Sequence, residues 1–91
     1  NAPSNLVAVL RNAGTDVRLT WRDNSTNEQS FYIERRTATG AWTRIKIVGA
    51  NTVAFLDQTP ARRTTYFYRV LAYRPATGPS LPSNEVMITT L

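Results

Sequence analysis

The feature that most constrains this chain is a two-residue alternation of apolar and polar side chains, repeated in seven short runs. Alternation of that period places one set of side chains on each face of a pleated strand, and no 3.6-residue stripe of useful length competes with it. Leu6, Ala8 and Leu10 alternate with Val7 and Val9, and Val17, Leu19 and Trp21 alternate with Arg18, Thr20 and Arg22. Asn12-Ala13-Gly14-Thr15-Asp16 supplies the turn between them. Phe31 and Ile33 against Tyr32 and Glu34 give a third strand ending near Arg36, and Thr37-Ala38-Thr39-Gly40 turns into a fourth over residues 42–48.

A corner at Gly49-Ala50-Asn51 precedes a fifth strand over 52–57, built around Val53 and Phe55. Residues 58–63 contain Pro60 and read as a crossing loop. The run 64–73 is β-branched and aromatic almost throughout and is the strongest strand. Three prolines and a glycine make 74–82 a loop, and 84–90 supplies the seventh strand. Seven short strands with turns between them and no helix predict an antiparallel sandwich or a small barrel. A Trp on an early strand and a Tyr opening the penultimate one favour the sandwich.

The 91 residues predict one domain over 1–91. A chain of this size buries roughly 64% of its unfolded surface, enough for one modest core and no deep enclosed site. Parity assigns that core to Leu6, Leu19, Trp21, Phe31, Ile33, Tyr66, Tyr68 and Val70. Trp42 and Phe55 are read as core or partial core, the facing of the fourth strand being left open.

Composition narrows the chemistry. The chain has no Cys and no His, which removes disulfides, thiol nucleophiles, the commonest general base and the commonest metal ligand. Six carboxylates are scattered over five segments, whereas acid–base catalysis needs two held together in a cleft. No glycine-rich phosphate loop is present. The expectation is no enzyme, no catalytic residues and no cofactor. Asp23, Ser25, Asn27 and Glu34 fall at calcium-loop spacing, but Glu28 stands where such a loop needs glycine, so no metal is expected. Asn24-Ser25-Thr26 is a glycosylation sequon, read as incidental.

The net charge is +5, carried by ten Arg and one Lys against six acids. The basic residues form doublets at most, and such scatter argues against a nucleic-acid or other polyanion site. No apolar stretch reaches the width of a bilayer, and no charged-then-apolar leader opens the chain, so no membrane insertion is expected. The opening Asn1-Ala2-Pro3-Ser4 reads as that of an excised module or processed fragment.

The chain resembles a fibronectin type III domain over essentially its full length. The resemblance rests on Pro3 with Leu6 and Ala8, Val17-x-Leu19-x-Trp21, Phe31-x-Ile33, Thr65-Tyr66-x-Tyr68-x-Val70-x-Ala72 and Ser83-Asn84-Glu85-Val86. Trp21-Arg22-Asp23-Asn24-Ser25, Asn27-Glu28 and Ile33-Glu34-Arg35 are similar to the bacterial subset of that family. The resemblance implies a seven-stranded antiparallel immunoglobulin-like β-sandwich, with strands one, two and five in one sheet and the other four in the second. It puts Tyr66 at a tyrosine corner, its hydroxyl bonded to backbone of the preceding loop. Pro60 departs from the family, which usually has an apolar anchor there, and puts the packing of that loop in question.

The same resemblance implies a non-catalytic accessory or spacer module of a secreted or cell-surface bacterial protein. Its partners would be neighbouring domains of the same chain, the module being monomeric in isolation. The alternative is weak binding of a polysaccharide or a protein. Tyr32, Phe67, Arg69 and Tyr73 fall on outward positions and could form such a face with Leu71, Glu34 and Arg36, Glu34 pairing with Arg69. The loops 23–29 and 74–82 offer a second surface, and a polyanion site from net charge a third.

Overall fold

The computed structural model describes residues 2–24 and 28–91. Among the described residues eight strands run in chain order: β1 Ser4–Arg11, β2 Asp16–Arg22, β3 Ser30–Thr37, β4 Thr43–Gly49, β5 Ala54–Asp57, β6 Thr65–Arg74, β7 Gly78–Pro79 and β8 Val86–Thr89. One sheet has the order β1-β2-β5. The other has the order β4-β3-β6-β7, with β8 also paired to β6. Every pairing is antiparallel. No helix among the described residues is long and apolar enough to cross a membrane.

The inward set of each strand makes the core. Leu6, Val17, Leu19, Trp21, Phe31, Ile33, Tyr66, Tyr68, Val70 and Ala72 are buried in one cluster, with Phe55 and Ile45 packed against it. Trp21 meets Phe31 edge-on at 5.8 Å between ring centroids. Burying rings of this size is the largest apolar contribution a sandwich this small can make.

The short strand β7 is a correction to the sequence reading, which left 74–82 as loop. Gly78 and Pro79 pair with Arg74 and Tyr73. The chain then follows the same edge by another device. The amides of Ser80 and Ser83 donate to the carbonyls of Ala72 and Val70 at 2.7 and 2.8 Å. Their hydroxyls accept from the amides of the same two residues at 3.0 Å each. Proline lacks an N–H, but each of these serines follows a proline and supplies both donor and acceptor. Leu81 is left 80% exposed between them.

Asn84 joins the sheets. Its side-chain amide accepts from the Leu6 N–H at 2.9 Å and donates to the Leu6 carbonyl at 3.0 Å, as a strand neighbour would. The turn after β1 holds Asn12, Ala13 and Gly14 at φ of 54°, 61° and 87°. A Cβ on Gly14 would lie 2.6 Å from the Leu91 side chain, so only glycine fits both that conformation and that approach.

Strand directions put the connections 12–15, 38–42 and 58–64 at one end with Leu91, and residues 23–24, 28–29, 50–53 and 75–77 at the other with Ala2. The molecule measures 39 × 25 × 18 Å, and the strand directions set Ala2 and Leu91 at opposite ends of the sheets.

Candidate functional site

The four residues that the sequence offers as a binding face lie on the outer side of the β4-β3-β6 sheet, all partly buried. Its rows are set by register: Tyr32 opposes Leu71, Glu34 opposes Arg69, and Arg36 opposes Phe67. Tyr32 and Tyr73 stack at 4.8 Å with 21° between their planes. The Arg44 guanidinium lies 4.5 Å from the Tyr32 ring centre. Six residues along β6 from Tyr73, a distance of about 20 Å, Phe67 carries Arg36 at 4.2 Å. Arg69 lies between them and donates from Nε to Glu34 Oε1 at 2.6 Å. The four residues therefore fall into two groups rather than one pocket.

Trp42 links the second group and corrects the sequence reading. It was expected in the core or partly so, yet it precedes β4 and is only partly buried on the outer face. Arg69 lies 4.3 Å and Arg36 5.1 Å from its ring. An indole beside a tight turn can fold back over the sheet, and two guanidiniums hold it there. Leu71 is the opposite correction: expected exposed, it is only 8% so. It sits on a central strand with Tyr32 opposite and Arg69 and Tyr73 two residues either way, and these larger neighbours shield it.

The outer face is thus a chain of matched contacts. Cation–π pairs contribute about 0.5–1 kcal/mol each at exposed sites, and surface ion pairs such as Arg36–Glu85 less than about 1 kcal/mol. The arrangement stiffens the sheet. It leaves Tyr32, Trp42 and Tyr73 only partly exposed to a ligand.

A second constellation lies inside the far end of the sandwich, and the sequence reading missed it. Arg35 follows Phe31 and Ile33 on the inward face of β3, and Asp57 follows Phe55 on that of β5. Asp57 is 1% exposed. Its Oδ2 accepts from Arg35 at 2.9 Å and from the Tyr68 hydroxyl at 2.6 Å. Its Oδ1 accepts from the Thr59 hydroxyl at 2.6 Å and the Thr59 amide at 3.1 Å. Burial alone would raise the Asp57 pKa, but the bonds from Thr59 and Tyr68 and the Arg35 charge together hold it below the ordinary value. The Tyr68 phenol moves far upward, first by burial and then by its bond to the carboxylate. The same parity that finds the core would have found this trio, since all three positions are inward. With both oxygens occupied, Asp57 has no lone pair aimed at solvent, and the trio acts as a polar pin between the sheets.

Beside it the tyrosine corner is formed. The Ala61 amide donates to the Tyr66 hydroxyl at 2.8 Å, and Arg35 lies 4.8 Å from the Tyr66 ring centre. Thr90, 2% exposed, donates to the Ala61 carbonyl at 2.6 Å and accepts from the Thr64 amide at 3.0 Å. These bonds hold the loop that Pro60 put in question.

Of the calcium-spaced residues, Ser25 and Asn27 lie outside the described residues, as does Thr26 of the sequon. Glu34 is engaged by Arg69. Among the described residues no group of three or more metal-ligating side chains gathers. Asn24 donates to the Ala2 carbonyl at 3.0 Å and the Ser4 hydroxyl at 2.8 Å, tying its loop to the start of β1.

No family model and no curated protein matches the chain. Solved structures do. An Fn3-like protein from Clostridium thermocellum is 29% identical, over 93% of this chain and 86% of that one, with a TM-score of 0.77. The chain has the fibronectin type III fold. The FN3 domain of human collagen XX superposes with a TM-score of 0.82 at 22% identity, over 98% of this chain and 90% of that one. Pectate lyase PelI from Erwinia chrysanthemi superposes with a TM-score of 0.82 at 19% identity, over 96% of this chain but 28% of the lyase. Fibronectin type III units of this kind thus occur as parts of larger chains.

Proposed function

We propose that this fibronectin type III module is a non-catalytic accessory or spacer unit of a larger secreted or cell-surface bacterial protein, holding neighbouring domains apart. The observation that carries the reading is the chain path. Ala2 and Leu91 lie at opposite ends of the strands, across two sheets pinned together by Asn84 and Asp57. A body built this way transmits distance between its two ends. The Clostridium Fn3-like protein supports the bacterial setting, and the lyase supports residence beside a catalytic domain.

A second reading, weak binding of neutral polysaccharide or of a protein, is favoured by the partly exposed Tyr32–Tyr73 stack, because paired rings can receive a sugar or an apolar side chain. Affinity electrophoresis in gels containing hydroxyethylcellulose, xylan or glycol chitin separates the two for sugars. The spacer reading predicts no retardation. Retardation that persists at high salt and vanishes in a folded Tyr32→Ser/Tyr73→Ser variant would overturn it.

A further inference from the structure

The fold sorts cations that the sequence scatters. Arg35, Arg36 and Arg69 pair with carboxylates, and Arg44 caps a ring. Arg11, Arg18, Arg22, Lys46, Arg62, Arg63 and Arg74 make no such pair with the described residues. All are exposed, and topology gathers four of them, Arg11, Arg18, Arg62 and Arg63, at one end, with Arg22 and Arg74 at the other. The Leu91 amide donates to the Gly14 carbonyl in the turn after Arg11, and the Thr90 amide donates to the Thr64 carbonyl just beyond Arg63. Two consecutive residues thus hold the two arginine-bearing segments side by side. The acids of this end do not neutralise them: Asp16 is 8% exposed and bonded to Asn12, and Asp57 is 1% exposed and bonded to Arg35.

From this we infer a binding site for a carboxylated polysaccharide, a polyuronate, on the outer face of the β1-β2-β5 sheet at that end. Arg11, Asn12 and Arg18 line one shallow depression together with Leu56. Register places Val9, Arg18 and Leu56 in a single row across the three strands, with Val9 47% and Leu56 38% exposed. Guanidinium forks beside exposed aliphatic carbon match a uronate, which presents a planar carboxylate and the C–H face of a sugar ring. Arg62 and Arg63 extend the positive surface for further residues of the polymer. Repetition matters, because a single exposed ion pair is weak and only a chain of anions accumulates useful attraction. Nucleic acid fits less well: its bases want exposed stacking partners, and the ring that lines this depression, Phe55, is only partly exposed and packs against the core. The site is independent of the spacer role.

Affinity electrophoresis in polygalacturonate tests it, with hydroxyethylcellulose as the neutral control. The 91-residue chain is retarded by polygalacturonate alone, and less at about 0.3 M salt than at about 0.05 M. Arg11→Gln/Arg18→Gln weakens binding about tenfold, the value of two ion pairs. Arg22→Gln/Arg74→Gln, the same charge change at the opposite end, leaves binding within about twofold. Equal weakening in both doubles would reduce the effect to net charge and overturn the site, as would absence of retardation or tighter binding to duplex DNA. If the first double fails to fold, amide shifts of the unmodified chain on titration with oligogalacturonate decide. Shifts at Arg11, Arg18 and Leu56 support the site, and shifts confined to Tyr32 and Tyr73 refute it.

Discussion

Replacing Asp57 by Asn tests the buried pin while conserving volume. The carboxylate accepts four hydrogen bonds, two at each oxygen. An asparagine offers one carbonyl oxygen and one NH2, so either rotamer sets a donor against donors. Turned one way it faces the Arg35 guanidinium and the Tyr68 hydroxyl; turned the other, it faces the Thr59 amide and hydroxyl. The hydroxyls can rotate to accept, but Arg35 and the Thr59 amide cannot. Breaking a buried ion pair costs about 3–5 kcal/mol. The Arg35 side chain is 21% exposed, and water reaching it favours the lower end of that range. We expect a loss of about 3 kcal/mol from a total of about 5–15 kcal/mol, and a fall in Tm of about 12–24 °C. Guanidinium chloride unfolding at pH 7, followed by tryptophan fluorescence, measures it. Adding Arg35→Met removes the stranded charge while keeping an aliphatic stem beside Tyr66. The double variant is expected to be more stable than Asp57→Asn alone by about 1 kcal/mol. A loss below about 1 kcal/mol in the single variant, or simple additivity in the double, would refute the reasoning.

Three further outcomes follow from named contacts. Stability is expected to be flat from about pH 5 to about pH 9 and to fall on both sides. On the acid side, the contribution of Asp57, whose folded pKa is lowered, is complete above the unfolded value near 3.9 and is lost as pH drops through the folded one. On the alkaline side, the raised Tyr68 keeps its proton in the folded state while the unfolded chain ionises near 10, so Tyr68→Phe should flatten that limb. Tyr66→Phe removes the acceptor of the Ala61 amide and should cost about 1–2 kcal/mol; a change below about 0.5 kcal/mol would mean that the corner bond contributes nothing in solution. Trp42→Ala strips Arg69 of its ring and leaves Arg36 with Phe67 alone, and should cost about 1–2 kcal/mol by denaturant unfolding, whereas Arg22→Ala on the other sheet should cost almost nothing.

Much of this molecule follows from alternation alone. The two-residue period put Leu19, Trp21, Phe31, Ile33, Tyr66, Tyr68 and Val70 inward, because a pleated strand cannot turn its side chains any other way. It also put Tyr32, Glu34, Phe67, Arg69 and Tyr73 outward, and the Glu34–Arg69 pair was legible from strand neighbours. Arg35 and Asp57 obeyed the same parity. They escaped notice because a charged residue at an inward position makes sense only when its counterion is known, and that lies on the opposite sheet, 22 residues away in sequence.

What the sequence could not decide is what lies outside the regular strands. Trp42 belongs to no strand, so no period assigns it a face, and only the guanidiniums of Arg36 and Arg69 did. The prolines of 74–82 announced a loop, yet Ser80 and Ser83 used amide and hydroxyl together to continue the edge of β6. The gathering of Arg11, Arg18, Arg62 and Arg63 at one end, away from the matched outer face of the other sheet, has the same origin. Charge in a sequence is a number, and only folding settles which arginine meets a ring or a carboxylate and which meets water.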